Sequence, residues 1–206
     1  MSLNFKLYLI TDRKLFTDDY SLFTGIEDAL KGGVKAVQLR EKDLEIRDLL
    51  DMAYEIREMT RKYNAKLFIN DRVDIALAVN ADGVHLGQQS IPADAVRKIT
   101  QGKLIIGVST HSLEEAISAE TKGADFITLG PVFETPSKIK YGKPVGVDLL
   151  KEAKEKVSIP IFAIGGIKED KVSDVMNAGA DGIALISGIL GAENIKEKAK
   201  EFLRLL

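Results

Sequence analysis

Ala178-Gly179-Ala180-Asp181-Gly182-Ile183-Ala184-Leu185-Ile186-Ser187-Gly188 holds one complete joint of the fold. A glycine after an amphipathic stretch can end a helix in the left-handed conformation and turn the chain sharply. The run Gly182–Ile186 is apolar without strict alternation, which suits a strand covered on both faces, as in a parallel sheet. It ends on two small residues, Ser187 and Gly188. Similar helix exits stand at Gly32-Gly33-Val34-Lys35-Ala36, Asn80-Ala81-Asp82-Gly83 and Lys122-Gly123-Ala124-Asp125.

Outward from that joint, short apolar runs recur at nearly even spacing: Leu7–Thr11, Ala36–Leu39, Leu67–Ile69, Gly83–Leu86, Leu104–Val108, Phe126–Leu129, Ile161–Ile164 and Gly182–Ile186. Amphipathic stretches with helical period lie between them, among them Leu44–Arg61, Ser112–Thr121, Val147–Glu155 and Glu193–Leu206. In the first, Leu44, Leu49, Leu50, Ala53, Ile56 and Met59 form one stripe. Ser112-Leu113-Glu114-Glu115 reads as a capping box. No Pro- or Ser-rich linker divides the units. Eight strand–helix units in one run predict an α/β fold, a single (β/α)8 TIM barrel domain over residues 1–206. A doubly wound open sheet is the structural alternative.

The chain has 206 residues, 45% apolar and 29% charged, with a formal net charge of −2, values that fit a soluble globular protein and argue against a general nucleic-acid binder. It has no cysteine, so disulfides and thiolate chemistry are excluded. No apolar run approaches the roughly 20 residues that span a bilayer. Met1–Lys6 lacks the shape of a signal peptide, so a cytoplasmic location is expected.

In such a barrel the active site lies at the C-terminal ends of the strands. The second run ends in Gln38-Leu39-Arg40-Glu41-Lys42. Alternation sends Gln38, Arg40 and, if the extended backbone continues, Lys42 to one side, where a guanidinium fork and an ammonium suit phosphate oxygens. The alternative is a solvated end paired with Glu41 and Asp43. The third run ends in Asn70-Asp71, which suits an oxygen-seeking ion such as Mg2+, or else caps the helix beginning near Arg72. His85, inside the fourth apolar run, reads as a hydrogen-bonded structural residue, followed by Gln88, Gln89 and Ser90. Ser109-Thr110-His111 ends the fifth run. Without a strained nucleophile elbow, Ser109 reads as a hydrogen-bond donor in the site.

The longest connection follows the sixth run. Its Thr135, Ser137 and Lys138 can wrap an anion with two hydroxyls and an ammonium. Gly165-Gly166 and Ser187-Gly188 end the last two runs, where barrel loops commonly bind phosphate through backbone N–H groups. Two anion sites follow: a monophosphate at Gly166 and Ser187, and a diphosphate with a metal at Arg40, Lys42, Asp71 and Lys138. Neither contains an obvious general base, so departure of diphosphate fits better than proton abstraction.

Gln38–Lys42, Ile69–Arg72, Ala81–Gln88, Gly107–His111, Leu129–Phe133, Ile164–Ile167 and Ile186–Ile189 together resemble the thiamine-phosphate synthase family, in order along the whole chain. The resemblance implies an enzyme that joins 4-amino-2-methyl-5-hydroxymethylpyrimidine diphosphate to a thiazole phosphate, or its carboxylated form, with release of pyrophosphate. It implies that Gln38, Arg40, Lys42, Asn70, Ser109 and Lys138 contact the pyrimidine diphosphate. Arg40, Lys42, Ser109 and Lys138 would be the catalytic members, and Asp71 would bind Mg2+. Thr135, Ser137, Gly166, Ile186 and Ser187 would hold the thiazole phosphate, and Leu39, Glu41 and Pro136 complete the substrate-binding set.

Two departures from the family pattern stand out. Ser90 occupies the place of a second acidic metal ligand, and Ser137 replaces a threonine in the long loop. Related barrels that isomerise the thiazole carry their catalytic histidine where this chain has Pro131. A TenI-like tautomerase and a non-catalytic ligand-binding regulator are the alternative roles. Expected partners are small phosphorylated molecules, neither nucleic acid nor membrane, with a homodimer left open.

Overall fold

The structure is a computed structural model that describes residues 3–135 and 144–206. Eight parallel strands close a barrel in sequence order: β1 (Leu7–Ile10), β2 (Ala36–Leu39), β3 (Lys66–Asn70), β4 (Gly83–Leu86), β5 (Ile105–Thr110), β6 (Phe126–Leu129), β7 (Ile161–Ile164) and β8 (Gly182–Leu185). β8 pairs back onto β1 through Tyr8 and Ala184. Helices α1 (Asp19–Lys31), α2 (Ile46–Lys62), α3 (Val73–Ala78), α4 (Ala93–Thr100), α5 (Leu113–Thr121), α6 (Gly146–Lys156), α7 (Val172–Asn177), α8 (Ser187–Leu190) and α9 (Ile195–Leu205) intervene. This is the expected (β/α)8 barrel. Strand ends move by a residue or two: β5 runs on through Ser109 and Thr110, because both still pair with β6.

Strand alternation builds two apolar cores. Leu9, Val37, Leu39, Leu67 and Ile69 face outward and pack with Leu22, Ile26, Leu49 and Ile56 of the helices. On α2 the buried stripe is Leu49, Met52, Ala53, Ile56 and Thr60, with Leu50 and Met59 only half-buried beside it. The inward face carries Tyr8, Ile10, Ala36, Phe68, Ile105, Phe126, Phe162 and Ala184, and Phe5 closes the N-terminal end. Ring centroids there lie 5.1 Å apart for Phe5 and Phe162, and 5.3 Å apart for Tyr8 and Phe68. Each fully buried ring of this kind contributes about 1.5–3 kcal/mol.

The rings fit because glycines face them. A Cβ at Gly83 would lie 2.5 Å from Phe68, one at Gly107 2.4 Å from Phe126, and one at Gly182 2.6 Å from Phe162. Large and small residues therefore interdigitate around the barrel.

The helix exits share a lock that composition alone does not reveal. The aspartate before β4, β6 and β8 accepts a backbone N–H from the first or second residue of the neighbouring earlier strand, and pairs with a cation from a helix. Asp82 takes Leu67 N–H at 2.9 Å and Arg57 at 2.6 Å. Asp125 takes Ile106 N–H at 2.7 Å and Arg97 at 2.8 Å. Asp181 takes Ile161 N–H at 2.9 Å and Lys154 at 2.8 Å. These locks sit at the N-terminal end of the barrel, so the opposite mouth is free for loops that bind.

Candidate active site

The parallel strands bring Gln38, Arg40, Asn70, Asp71, Ser109, Gly166 and Ser187 to the C-terminal end of one barrel. The register sets Leu39 beside Ile69, so Arg40 follows β2 next to Asn70 of β3. Leu39 itself is buried in the outer core.

The acidic neighbours of Arg40 and Lys42 are engaged elsewhere. Glu41 is buried and accepts from Thr11 Oγ1 at 2.6 Å and from the Arg13 N–H at 3.1 Å. Burial pushes its carboxyl above the usual carboxylate range. Asp43 pairs with Arg13 at 3.2 Å and Lys14 at 3.3 Å. Among the described residues no carboxylate pairs with Arg40 or Lys42. The solvated ion-pair alternative for this strand end is therefore not what forms. Thr11 Oγ1 also accepts from the Arg40 N–H at 2.9 Å, which ties the end of β2 to the end of β1.

Asp71 is not a helix cap. α3 begins at Val73 without a side-chain cap, and the carboxylate turns across the mouth. Asn70 Nδ2 donates to Asp71 Oδ2 at 3.0 Å, and the Ser90 hydroxyl donates to Oδ1. The Ser90 hydroxyl in turn accepts from the Gly87 N–H at 2.6 Å. Asp71 has φ +60°, a left-handed conformation that costs a non-glycine residue energy and collects at functional sites. Asp71 is half-buried, and among the described residues no three His, Cys, Asp or Glu are grouped around a metal site. One oriented carboxylate fits Mg2+, which commonly takes one or two carboxylates and completes its shell with waters and substrate phosphates.

Beneath the mouth lies a polar layer that sequence reasoning only half found. His85 Nε2 lies 3.0 Å from Ser109 Oγ and 3.5 Å from Thr128 Oγ1, and Nδ1 lies 3.5 Å from the Tyr8 hydroxyl. Gln38 Nε2 donates to the same hydroxyl at 3.0 Å. Burial holds the His85 imidazole down to about 3 and raises the Tyr8 phenol. His85 is thus neutral and structural, as expected. Gln38 is buried, with its amide engaged below the mouth. The missed member is Tyr8, whose signal was its place two residues before Ile10 on the inward face of β1.

On the far side, Gly165 and Gly166 have φ of +97° and +67°. A Cβ at Gly166 would lie 2.5 Å from the Glu134 carbonyl oxygen, so glycine is required here by the packed β6 connection as well as by any phosphate. That connection is anchored at both ends. Val132 and Phe133 N–H bond to the Ile164 and Gly165 carbonyls, and Val145 and Gly146 N–H to those of Pro131 and Val132. Thr135 lies at the rim, while Pro136, Ser137 and Lys138 fall outside the described residues. Ser187 and Gly188 are exposed at the start of α8, beside half-buried Ile186.

Comparison with known proteins gives a consistent picture. The family model described as thiamine monophosphate synthase matches residues 7–189. A thiamine-phosphate synthase of Clostridium novyi is 49% identical over 200 residues, 97% of this chain and 98% of that protein. One from Pyrococcus abyssi is 44% identical over 201 residues, 98% of this chain and 94% of its own length. A solved structure, thiamine phosphate pyrophosphorylase from Pyrococcus furiosus, superposes with a TM-score of 0.89 at 41% identity, covering 98% of this chain and 95% of that one.

Proposed function

The chain belongs to the thiamine monophosphate synthase family, and from that premise we propose that the barrel mouth is a thiamine-phosphate synthase active site. The enzyme is a transferase of thiamine biosynthesis. It joins 4-amino-2-methyl-5-hydroxymethylpyrimidine diphosphate to a thiazole phosphate, or its carboxylated form, giving thiamine phosphate and pyrophosphate, with CO2 from the carboxylated substrate.

The observation that carries the reading is the pair of cations, Arg40 and Lys42, left without carboxylate partners among the described residues, with Arg40 next to the Asn70 end of β3 and Lys42 in the turn that follows β2. When the C–O bond to diphosphate breaks, its electron pair leaves with the diphosphate. Negative charge then grows on the leaving oxygens. Fixed cations at that point stabilise the transition state more than the bound substrate, which is what raises the rate. The thiazole nitrogen next donates its lone pair to the pyrimidine methylene carbon, closing the C–N bond. With thiazole phosphate itself, no proton has to be abstracted, in keeping with a mouth whose buried histidine is held neutral.

Ser109 stands as a donor toward the pyrimidine diphosphate, with Gln38 and Asn70 behind it. Gly166, Ile186, Ser187 and Thr135 form the thiazole phosphate side, which Ser137 extends in sequence, while Lys138 joins Arg40 and Lys42 on the diphosphate. Asp71 would hold Mg2+, and a bound ion would supply further neutralisation of the leaving diphosphate. Among the described residues no helix is long and apolar enough to cross a membrane. We further propose that residues 1–206 act as one barrel domain in the cytoplasm. A homodimer is supported by exposed Tyr20 on α1 and Ile46 and Tyr54 on α2.

Incubating the protein with both substrates and Mg2+ tests the activity. Thiamine phosphate and an equal amount of pyrophosphate are expected. Binding of the thiazole phosphate with no product would leave a ligand-binding barrel in its place.

A further inference from the structure

Gln38, Tyr8, His85 and Ser109 form a hydrogen-bonded chain that rises through the barrel to the mouth. We infer that this chain has one direction, and that Tyr8 and His85 are positioning residues that make the Ser109 hydroxyl a donor toward the ligand. The inference deepens the synthase reading and rests on it only for the identity of that ligand.

The direction follows from the donor inventory. An amide Nε2 only donates, so the Tyr8 oxygen accepts from Gln38 at 3.0 Å. Tyr8 is fully buried, and its own proton must find an acceptor. Among the described residues its other polar partner is His85 Nδ1, 3.5 Å away. Nδ1 then carries no proton, and a neutral imidazole must hold its single N–H at Nε2. That N–H faces Ser109 Oγ at 3.0 Å and Thr128 Oγ1 at 3.5 Å, both able to accept. The Ser109 carbonyl already accepts from Gln88 Nε2. The Ser109 hydroxyl proton is left to point away from His85, and Ser109 is half-buried on the mouth side.

The opposite order would turn Ser109 lone pairs toward anionic oxygens. A donor whose direction is set before the ligand arrives needs no reorganisation as charge develops.

The second histidine supplies an internal reference. His111 Nδ1 faces the Gly130 carbonyl oxygen, which can only accept, so His111 carries its proton at Nδ1. A long-range proton–nitrogen correlation spectrum of the two imidazoles at about pH 8, above the range in which an ordinary imidazole takes up its second proton, should therefore show opposite tautomers, Nε2–H at His85 and Nδ1–H at His111. A companion cycle measures kcat/KM. Tyr8→Phe should lower it about tenfold in the native background and less than about twofold when Ser109→Ala is also present, because residues acting through one another are not additive. An Nδ1–H tautomer at His85, or an equal loss from Tyr8→Phe in both backgrounds, overturns the inference. The spectrum needs no substrate and no variant. It therefore stands if synthase turnover is absent, and a wrong tautomer beside normal turnover sinks this inference alone.

Discussion

Ser90 donates its hydroxyl to the Asp71 carboxylate, and that contact bears directly on how the mouth handles a cation. The hydroxyl sits where the family pattern has a second acid, so a carboxylate there would face Asp71 directly. Two like charges at that distance repel unless a cation lies between them. Ser90→Asp is therefore expected to lower the unfolding midpoint without Mg2+, to gain more from added Mg2+ than the native protein does, and to tighten Mg2+ binding. Equal Mg2+ effects on the two proteins would show that position 90 does not share the metal site. Of these residue details, the sequence made Asp71 and Ser90 visible as strand-end groups. It could not show that they touch, because the contact joins two strands through a turn at Gly87. Glu41 was hidden for a related reason: its burial depends on Thr11 and Arg13, nearly thirty positions earlier in the chain.

Among the elements, the helix exits carry most of the legible signal. The small residues at Gly32-Gly33, Ala81, Gly123 and Gly179 announced four of the helix-to-strand turns, and the apolar runs announced each strand. The aspartate locks were not legible, because an exposed-looking Asp in a turn is ordinary until its cross-strand N–H partner is known. Removing one should leave a buried N–H without an acceptor and a helix arginine without its carboxylate. Asp125→Ala is expected to cost about 2–3 kcal/mol in urea unfolding, and Asp125→Asn, which keeps an acceptor for Ile106 N–H, distinctly less. Activity of the folded Asp125→Ala protein should stay near native, since the lock is at the end of the barrel away from the mouth. A loss below about 0.5 kcal/mol, the size of an ordinary surface change, would show that the lock is incidental. The capping box was legible only in part. Ser112 does accept from the Glu115 N–H at 3.2 Å, but Glu115 reaches past it to the N–H of His111 at 2.7 Å.

For the whole molecule, the count of strand–helix units was enough to predict closure, and closure alone brings seven separated segments to one mouth. The interior was less legible, because the pairing of aromatic rings with Gly83, Gly107 and Gly182 depends on the register between strands. The division of labour that results is a rigid aromatic barrel below, a polar layer at Tyr8 and His85, and rim cations without a carboxylate partner among the described residues. If the rim drives diphosphate departure, charge removal there must act on rate and leave stability nearly untouched. Single-turnover release of pyrophosphate by Arg40→Ala, set beside its urea unfolding curve, tests this most directly. The expected result is a release rate lowered by about a hundredfold or more, with stability changed by no more than about 0.5 kcal/mol. A near-native release rate from a fully folded Arg40→Ala protein would contradict it.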